Sequence, residues 1–102
     1  MYNLVQCMYI IKAFMINYNK DKNKMLKASR GIGFEEIISA INDGKVLDLY
    51  DHPNQKDYPN QKIYVVETLD YIYLVPFVRN DEGIFLKTII PSRKAKKIYK
   101  GD

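Results

Sequence analysis

The stretch Tyr71-Ile-Tyr-Leu-Val-Pro-Phe-Val-Arg-Asn-Asp-Glu-Gly-Ile-Phe-Leu-Lys-Thr-Ile-Ile90 decides the fold class. β-Branched and aromatic residues fill both halves, and Asn80-Asp-Glu-Gly83 between them is a strong hairpin turn. The stretch therefore reads as two antiparallel strands, Tyr71 to Val78 and Ile84 to Ile90. Period-two alternation places Tyr71, Tyr73, Val75 and Phe77 on one side of the first strand and Ile72, Leu74 and Val78 on the other. Both sides are apolar. One must be covered by other parts of the chain, and the second is expected to serve as a partner surface, a homodimer contact or the floor of a site. Pro76 has no N–H to give to a neighbour, so it belongs at an edge or a bulge.

Working upstream, Lys62 to Thr68 and Val46 to Tyr50 have the same texture and extend the sheet into a meander. The connection from Asp51 to Asn60, with two prolines, is the one long loop. Before Lys45 the pattern changes to helical. Phe34, Ile37, Ile38 and Ile41 follow i, i+3, i+4, i+7, Glu35 and Glu36 occupy the first turn, and Gly44 stops the helix. Asn19 is a good N-cap for an earlier helix that runs to Arg30, where Gly31-Ile-Gly33 breaks it. Its inner side is predicted to carry Tyr18, Met25, Leu26 and Ser29. Met8 to Asn17 reads as a first strand, with residues 1–13 as an extension and 14–102 as a single domain. After Pro91, Ser92 caps a short basic helix. No internal repeat or low-complexity tract is expected. The order is α+β: an N-terminal strand, two helices packed on an antiparallel four- to five-stranded meander sheet, and a short C-terminal helix.

A chain of 102 residues with 47% apolar and 27% charged side chains sits near the averages for one globular domain, and it hides roughly two-thirds of its unfolded surface on folding. Its scarcities exclude chemistry. One His and one Cys cannot build the usual four-ligand zinc site, no metal or other cofactor is expected, and a thiol mechanism would need Cys7 to meet His52 across the fold. No apolar run approaches a membrane span, so no membrane partner is expected and the cytoplasm is the expected location. The net charge of +4 hides an uneven distribution. Lys20 to Arg30 carries +4, Arg93 to Lys100 carries +5, and the rest of the chain carries −5. If the two blocks lie side by side they form a patch suited to a phosphate backbone; otherwise they are a solvated helix and a basic tail.

Three segments carry a resemblance: Ile16-Asn-Tyr-Asn-Lys-Asp-Lys-Asn23, Arg30-Gly-Ile-Gly-Phe-Glu-Glu36 and Thr88-Ile-Ile-Pro-Ser-Arg-Lys-Ala95. In this order, from about Phe14 to the end, the chain resembles the BrnT-type toxins of bacterial type II toxin-antitoxin modules. That resemblance implies a RelE-like ribonuclease fold, RNA cleavage that arrests growth on mRNA, free or ribosome-associated, and a cognate antitoxin as partner. The departures are Tyr18 in place of Trp, Asn19 in place of Asp, Arg30 in the usual His position, and Thr88 where the last strand usually carries Arg.

Metal-free RNA cleavage needs the 2′-hydroxyl to lose a proton, charge on the phosphate to be stabilised, and the 5′-oxygen to gain a proton. Without paired histidines, cations carry most of that burden. Arg93 is the first choice for gripping phosphate, because guanidinium binds it bidentately and the resemblance falls on it. Lys94 follows, with a solvated lysine as its other reading. Lys27 and Arg30 would add cations from the first block, although a helix C-terminus also favours them for dipole reasons. Glu67, the one acid in an apolar strand, reads as a general base or as a lysine's structural partner. Lys20, Lys24, Lys87, Lys96 and Lys97 would line an RNA track, with Tyr73 stacking a base. The other class of reading is a non-catalytic basic module that binds an antitoxin or nucleic acid.

Overall fold

Asn19 begins the helical half as its sequence demands: the side chain accepts a hydrogen bond from the Lys22 N–H at 2.9 Å. The computed structural model describes residues 16–101. Along it lie β1 (Ile16–Tyr18), α1 (Lys20–Arg30), α2 (Phe34–Asn42), β2 (Val46–Asp51), β3 (Gln61–Glu67), β4 (Ile72–Asn80), β5 (Gly83–Leu86), β6 (Ile90–Pro91) and α3 (Arg93–Lys100). The expected α+β class and element order therefore hold, while the part of the first strand expected before Ile16, and Cys7 with it, lies outside the described residues.

Gly31 ends α1 at φ 71°, and its N–H returns to the Lys27 carbonyl. The N-cap of α2 is Gly33, which has no side chain to offer. Asn23 of α1 supplies the cap instead, its Oδ1 accepting the Phe34 N–H at 2.7 Å. Asn23 is correspondingly the buried polar residue of α1, whereas Met25, expected on the inner side, is 54% exposed. A Cβ on Gly33 would lie 2.8 Å from Asn23 Oδ1 and 2.5 Å from Lys27 Cε, so this close approach of α1 and α2 excludes a larger residue without movement.

The sheet has the order β1-β5-β4-β3-β2, with β6 beside β4. It is mixed, which corrects the expectation of a purely antiparallel meander: β1 runs parallel to β5, pairing Ile16 with Ile84 and Tyr18 with Leu86. The hairpin closes where the turn residues predict, Asn80 opposite Gly83. The final strand, expected unbroken from Ile84 to Ile90, is split in two. The Lys87 N–H donates to the Pro76 carbonyl at 2.8 Å, but Pro76 can return no N–H. The ladder to β4 therefore stops after Leu86 and resumes only at Ile90 opposite Leu74. Pro76 thus sits in a central strand, facing the break.

On one face, α1 and α2 bury Leu26, Ile32, Phe34, Ile37 and Ala40 against Val66, Val75, Phe77, Leu86 and Ile89. Each large apolar side chain so buried contributes about 1.5–3 kcal/mol by transfer alone. Ring stacking of Tyr18 on Phe34 at 4.9 Å and of Tyr64 on Phe77 at 4.1 Å closes the ends of this layer. On the other face α3 inserts Ala95 against Val65, Ile72 and Leu74. The alternation read in β4 is thus realised, but the second face is not an open apolar sheet: Ile63, Val65 and Ile72 are all buried. Tyr50, opposite Ile63, and Ile90, opposite Leu74, are its exposed apolar members.

Candidate nucleic-acid interface

The two basic blocks do not form one flat patch, because α1 and α3 cover opposite faces of the sheet. The end of the first block reaches the break between β5 and β6, and the second block begins four residues beyond Ile89 in the chain. An Nη1 hydrogen of Arg30, at the C-terminus of α1, is donated to the carbonyl oxygen of Ile89 in the break between β5 and β6. Ile89 is fully buried, so leaving its carbonyl unpaired would cost about 1–3 kcal/mol. Arg30 therefore satisfies a carbonyl within the break that Pro76 faces. Four residues later comes Arg93, at most about 14 Å away along an extended chain. It opens α3 behind a well-made cap, with Ser92 Oγ accepting the Ala95 N–H at 3.1 Å and the Ser92 N–H reaching the Ile72 carbonyl at 3.0 Å.

The remaining expected site residues divide by what holds them. Lys27 is paired with Glu35 at 3.0 Å, and the same carboxylate oxygen accepts from Asn23 Nδ2 at 2.9 Å. Lys27 foremost, with the local backbone and Asn23, holds the Glu35 carboxyl below its usual range. Glu67 is paired with Lys100 at 3.1 Å. Since Lys100 is seven residues beyond Arg93, the axis of α3 alone separates them by about 10 Å, so Glu67 and Arg93 are not brought together. Lys96 lies over the Tyr71 ring at 5.1 Å, and Tyr99 donates its hydroxyl to Asp48 at 3.4 Å. That side of α3 is fastened to the sheet.

Arg93, Lys94 and Lys97 are exposed and have no ion-pair partner among the described residues, as do Lys20 and Lys24 on α1. Lys87 lies over Phe85 at 5.5 Å, and the two line an open hollow of about 510 Å³ with Asn19, Asp21, Lys22 and Met25. Tyr73 is half-buried on the α1/α2 side, where burial foremost, and then the charges of Glu36 and Asp70, push its phenol up. It is thus on the face opposite α3. The arrangement presents Arg93 and Lys94 as exposed cations that can hold a phosphate and stabilise added negative charge. Among the described residues it places no histidine or free carboxylate against them.

Two features escaped the reading of the sequence. Asn23 looked like a polar residue on a basic helix, and only its bond to Phe34, eleven positions on, gives it away. The second is a repeat where none was expected: Asp51-His-Pro-Asn-Gln-Lys56 is followed directly by Asp57-Tyr-Pro-Asn-Gln-Lys62. Comparing the chain with itself at an offset of six would have revealed it. His52, read as a lone loop histidine, stacks on its counterpart Tyr58 at 4.4 Å and accepts the Asn54 N–H on Nδ1 at 3.0 Å. It has no part at the arginines. No protein-family profile, curated protein or solved structure matches the chain.

Proposed function

We propose that this chain is a cytoplasmic toxin-type endoribonuclease: it cleaves RNA without a metal ion, arrests growth and is neutralised by a cognate antitoxin. The observation that carries this reading is that the second basic block opens, at the exposed Arg93, four residues beyond the Ile89 carbonyl on which Arg30 of the first block is anchored. Support comes also from the order of elements, a strand, two helices, a meander and a basic helix, which is what the resemblance to BrnT-type toxins implies. In this reading Arg93 grips the scissile phosphate bidentately, and Arg30, with one hydrogen committed to Ile89, adds its remaining donors. Lys94 stands next to Arg93 and helps neutralise the charge that builds on the phosphate as the 2′-oxygen bonds to phosphorus and the 5′-oxygen leaves, water taking the 2′-hydroxyl proton and supplying the one the 5′-oxygen gains. RNA recognition is by charge along α1 and α3, and an acidic antitoxin surface would cover the same cations.

A second reading, a non-catalytic module that binds an antitoxin or nucleic acid, is favoured by one observation. Lys27, expected to add a cation, and Glu67, expected as a general base or a lysine's partner, are each committed to an ion pair. Induced expression separates the two. Growth arrest with fragmented cellular RNA, both abolished by Arg93→Ala, is the expected result. Normal growth with intact RNA refutes cleavage, and salt-sensitive RNA binding by the same protein then establishes the module.

A further inference from the structure

The duplicated hexapeptide forms the tip of the β2–β3 hairpin, and none of residues 51–60 is buried. The loop nevertheless has a single braced conformation. The His52 N–H donates to the Gln61 carbonyl at 2.9 Å, and the Tyr58 N–H to the Asn54 carbonyl at 3.0 Å. Gln55 Nε2 bridges the His52 and Gln61 carbonyls at 2.8 and 3.0 Å, while its Oε1 accepts the Asn60 N–H at 3.1 Å. Asn54 and Asp57 exchange two hydrogen bonds, and Asn60 takes the left-handed conformation at φ 65°. The matching ring positions of the two copies, His52 and Tyr58, stack on each other. The loop adds nothing to the hydrophobic core, so its order does not come from burial, and ordering it in advance lowers the cost of binding something outside.

Resting on the reading of the chain as an RNA-binding protein, we infer that this loop is its base-recognition element, where an unpaired nucleobase of single-stranded RNA adds itself to the His52–Tyr58 stack on the exposed Tyr58 ring. A cation is at hand: Asp51 is neutralised by Lys62 at 2.6 Å, and Lys56 has no ion-pair partner among the described residues, next to an Asp57 carboxylate that Asn54 holds by a hydrogen bond. Tyr58 is 45% exposed, enough ring to receive a base. Single-stranded RNA is bound in this way, by aromatic stacking with a cation on the adjoining phosphate. The reach also agrees: the six residues of β4 from Tyr73, beside Pro91, to Val78, beside Gln61, span about 17 Å, so one short strand can touch both the α3 cations and the loop.

The test is fluorescence anisotropy of a short labelled single-stranded RNA, with a 2-aminopurine in the strand to report stacking. Tyr58→Ala is expected to weaken binding about 5- to 150-fold and to remove the quenching of 2-aminopurine, whereas Tyr58→Phe retains both. Lys56→Ala, which removes no bond within the loop, should lower the slope of log affinity against log salt by about 1. If Arg93→Ala weakens RNA binding while Tyr58→Ala and Lys56→Ala leave affinity and quenching unchanged, the loop assignment is wrong and the RNA-binding reading stands. If the unaltered protein binds no RNA at either low or physiological salt, both are wrong.

Discussion

Replacing Asn23 by Ala should be one of the costliest polar substitutions in the chain. Asn23 is 6% exposed, and among the described residues it supplies the cap to Phe34 that Gly33, with no side chain, cannot. The substitution strands the buried Phe34 N–H, whose bond to Oδ1 is 2.7 Å long. An unsatisfied buried donor costs about 1–3 kcal/mol, and loss of a helix cap costs a similar ~0.5–2 kcal/mol, the two describing largely the same bond. A net loss of about 2 kcal/mol follows. For a domain of this size that lowers the melting temperature by about 8–16 °C. Urea unfolding followed by circular dichroism measures it, with an unchanged slope showing that the unfolded surface is the same. Asn23→Asp keeps the acceptor for Phe34 but turns a donor to Glu35 into a like charge, so it should fall between the two at neutral pH and recover in acid as Glu35 is protonated. A midpoint for Asn23→Ala within experimental error of the parent would show that water or a neighbour satisfies Phe34, and would refute the cap.

Two further outcomes bear on the same end of the molecule. Arg30→Ala should cost about 1–2 kcal/mol in thermal or urea unfolding by freeing the Ile89 carbonyl, and Arg30→Lys should recover only part of it, since a lysine has no planar fork. The Glu35 carboxyl is held below its ordinary range in the folded state, chiefly by Lys27. Its contribution is present above the unfolded carboxylate pKa and is lost as pH falls through the folded value, so acid titration of stability should lose one proton-linked component in Glu35→Gln.

Where one residue's neighbours in sequence dictate its surroundings, the structure was readable in advance. The Asn80–Gly83 turn, the caps Asn19 and Ser92, the i, i+3, i+4 face of α2 and the alternation of β4 all depend on contacts within a few positions. The rest depends on what lies across the fold. That Pro76 faces the break between β5 and β6 follows from which side of β4 lacks a donor, and no local pattern states this. The parallel pairing of β1 with β5 joins residues nearly seventy positions apart. The separation of the basic blocks onto two faces follows from Ala95, a small residue in a strongly basic helix, packing against Val65 and Ile72. The tandem hexapeptide was legible and was missed, because its residues read one at a time are ordinary turn formers.

The residues that carry the likeness to BrnT-type toxins turn out to have architectural duties. Gly31 ends α1 in the left-handed region, Gly33 permits the approach of α1 to α2, Phe34 fills the core and Glu35 ties Lys27 and Asn23 together. Arg30 satisfies a carbonyl within the break opposite Pro76, Ser92 caps α3, and Ala95 is the size that its packing on the sheet admits. Any protein that turns its chain this way has reason to keep such residues, whatever its chemistry. The likeness is therefore an argument about how the helices join the sheet more than about a reaction. Within those segments Arg93 and Lys94, like Lys20, combine a positive charge, exposure and freedom from any ion pair among the described residues, and since Arg93 and Lys94 stand together at the start of α3 the weight of the cleavage proposal falls on them. A variant at Arg30 is expected to lower stability whatever its role in binding, so a loss of function there would not report on the phosphate. A variant at Arg93 removes a side chain that no described contact requires, and a loss of RNA cleavage there, at unchanged melting temperature, would report on the phosphate and not on the fold.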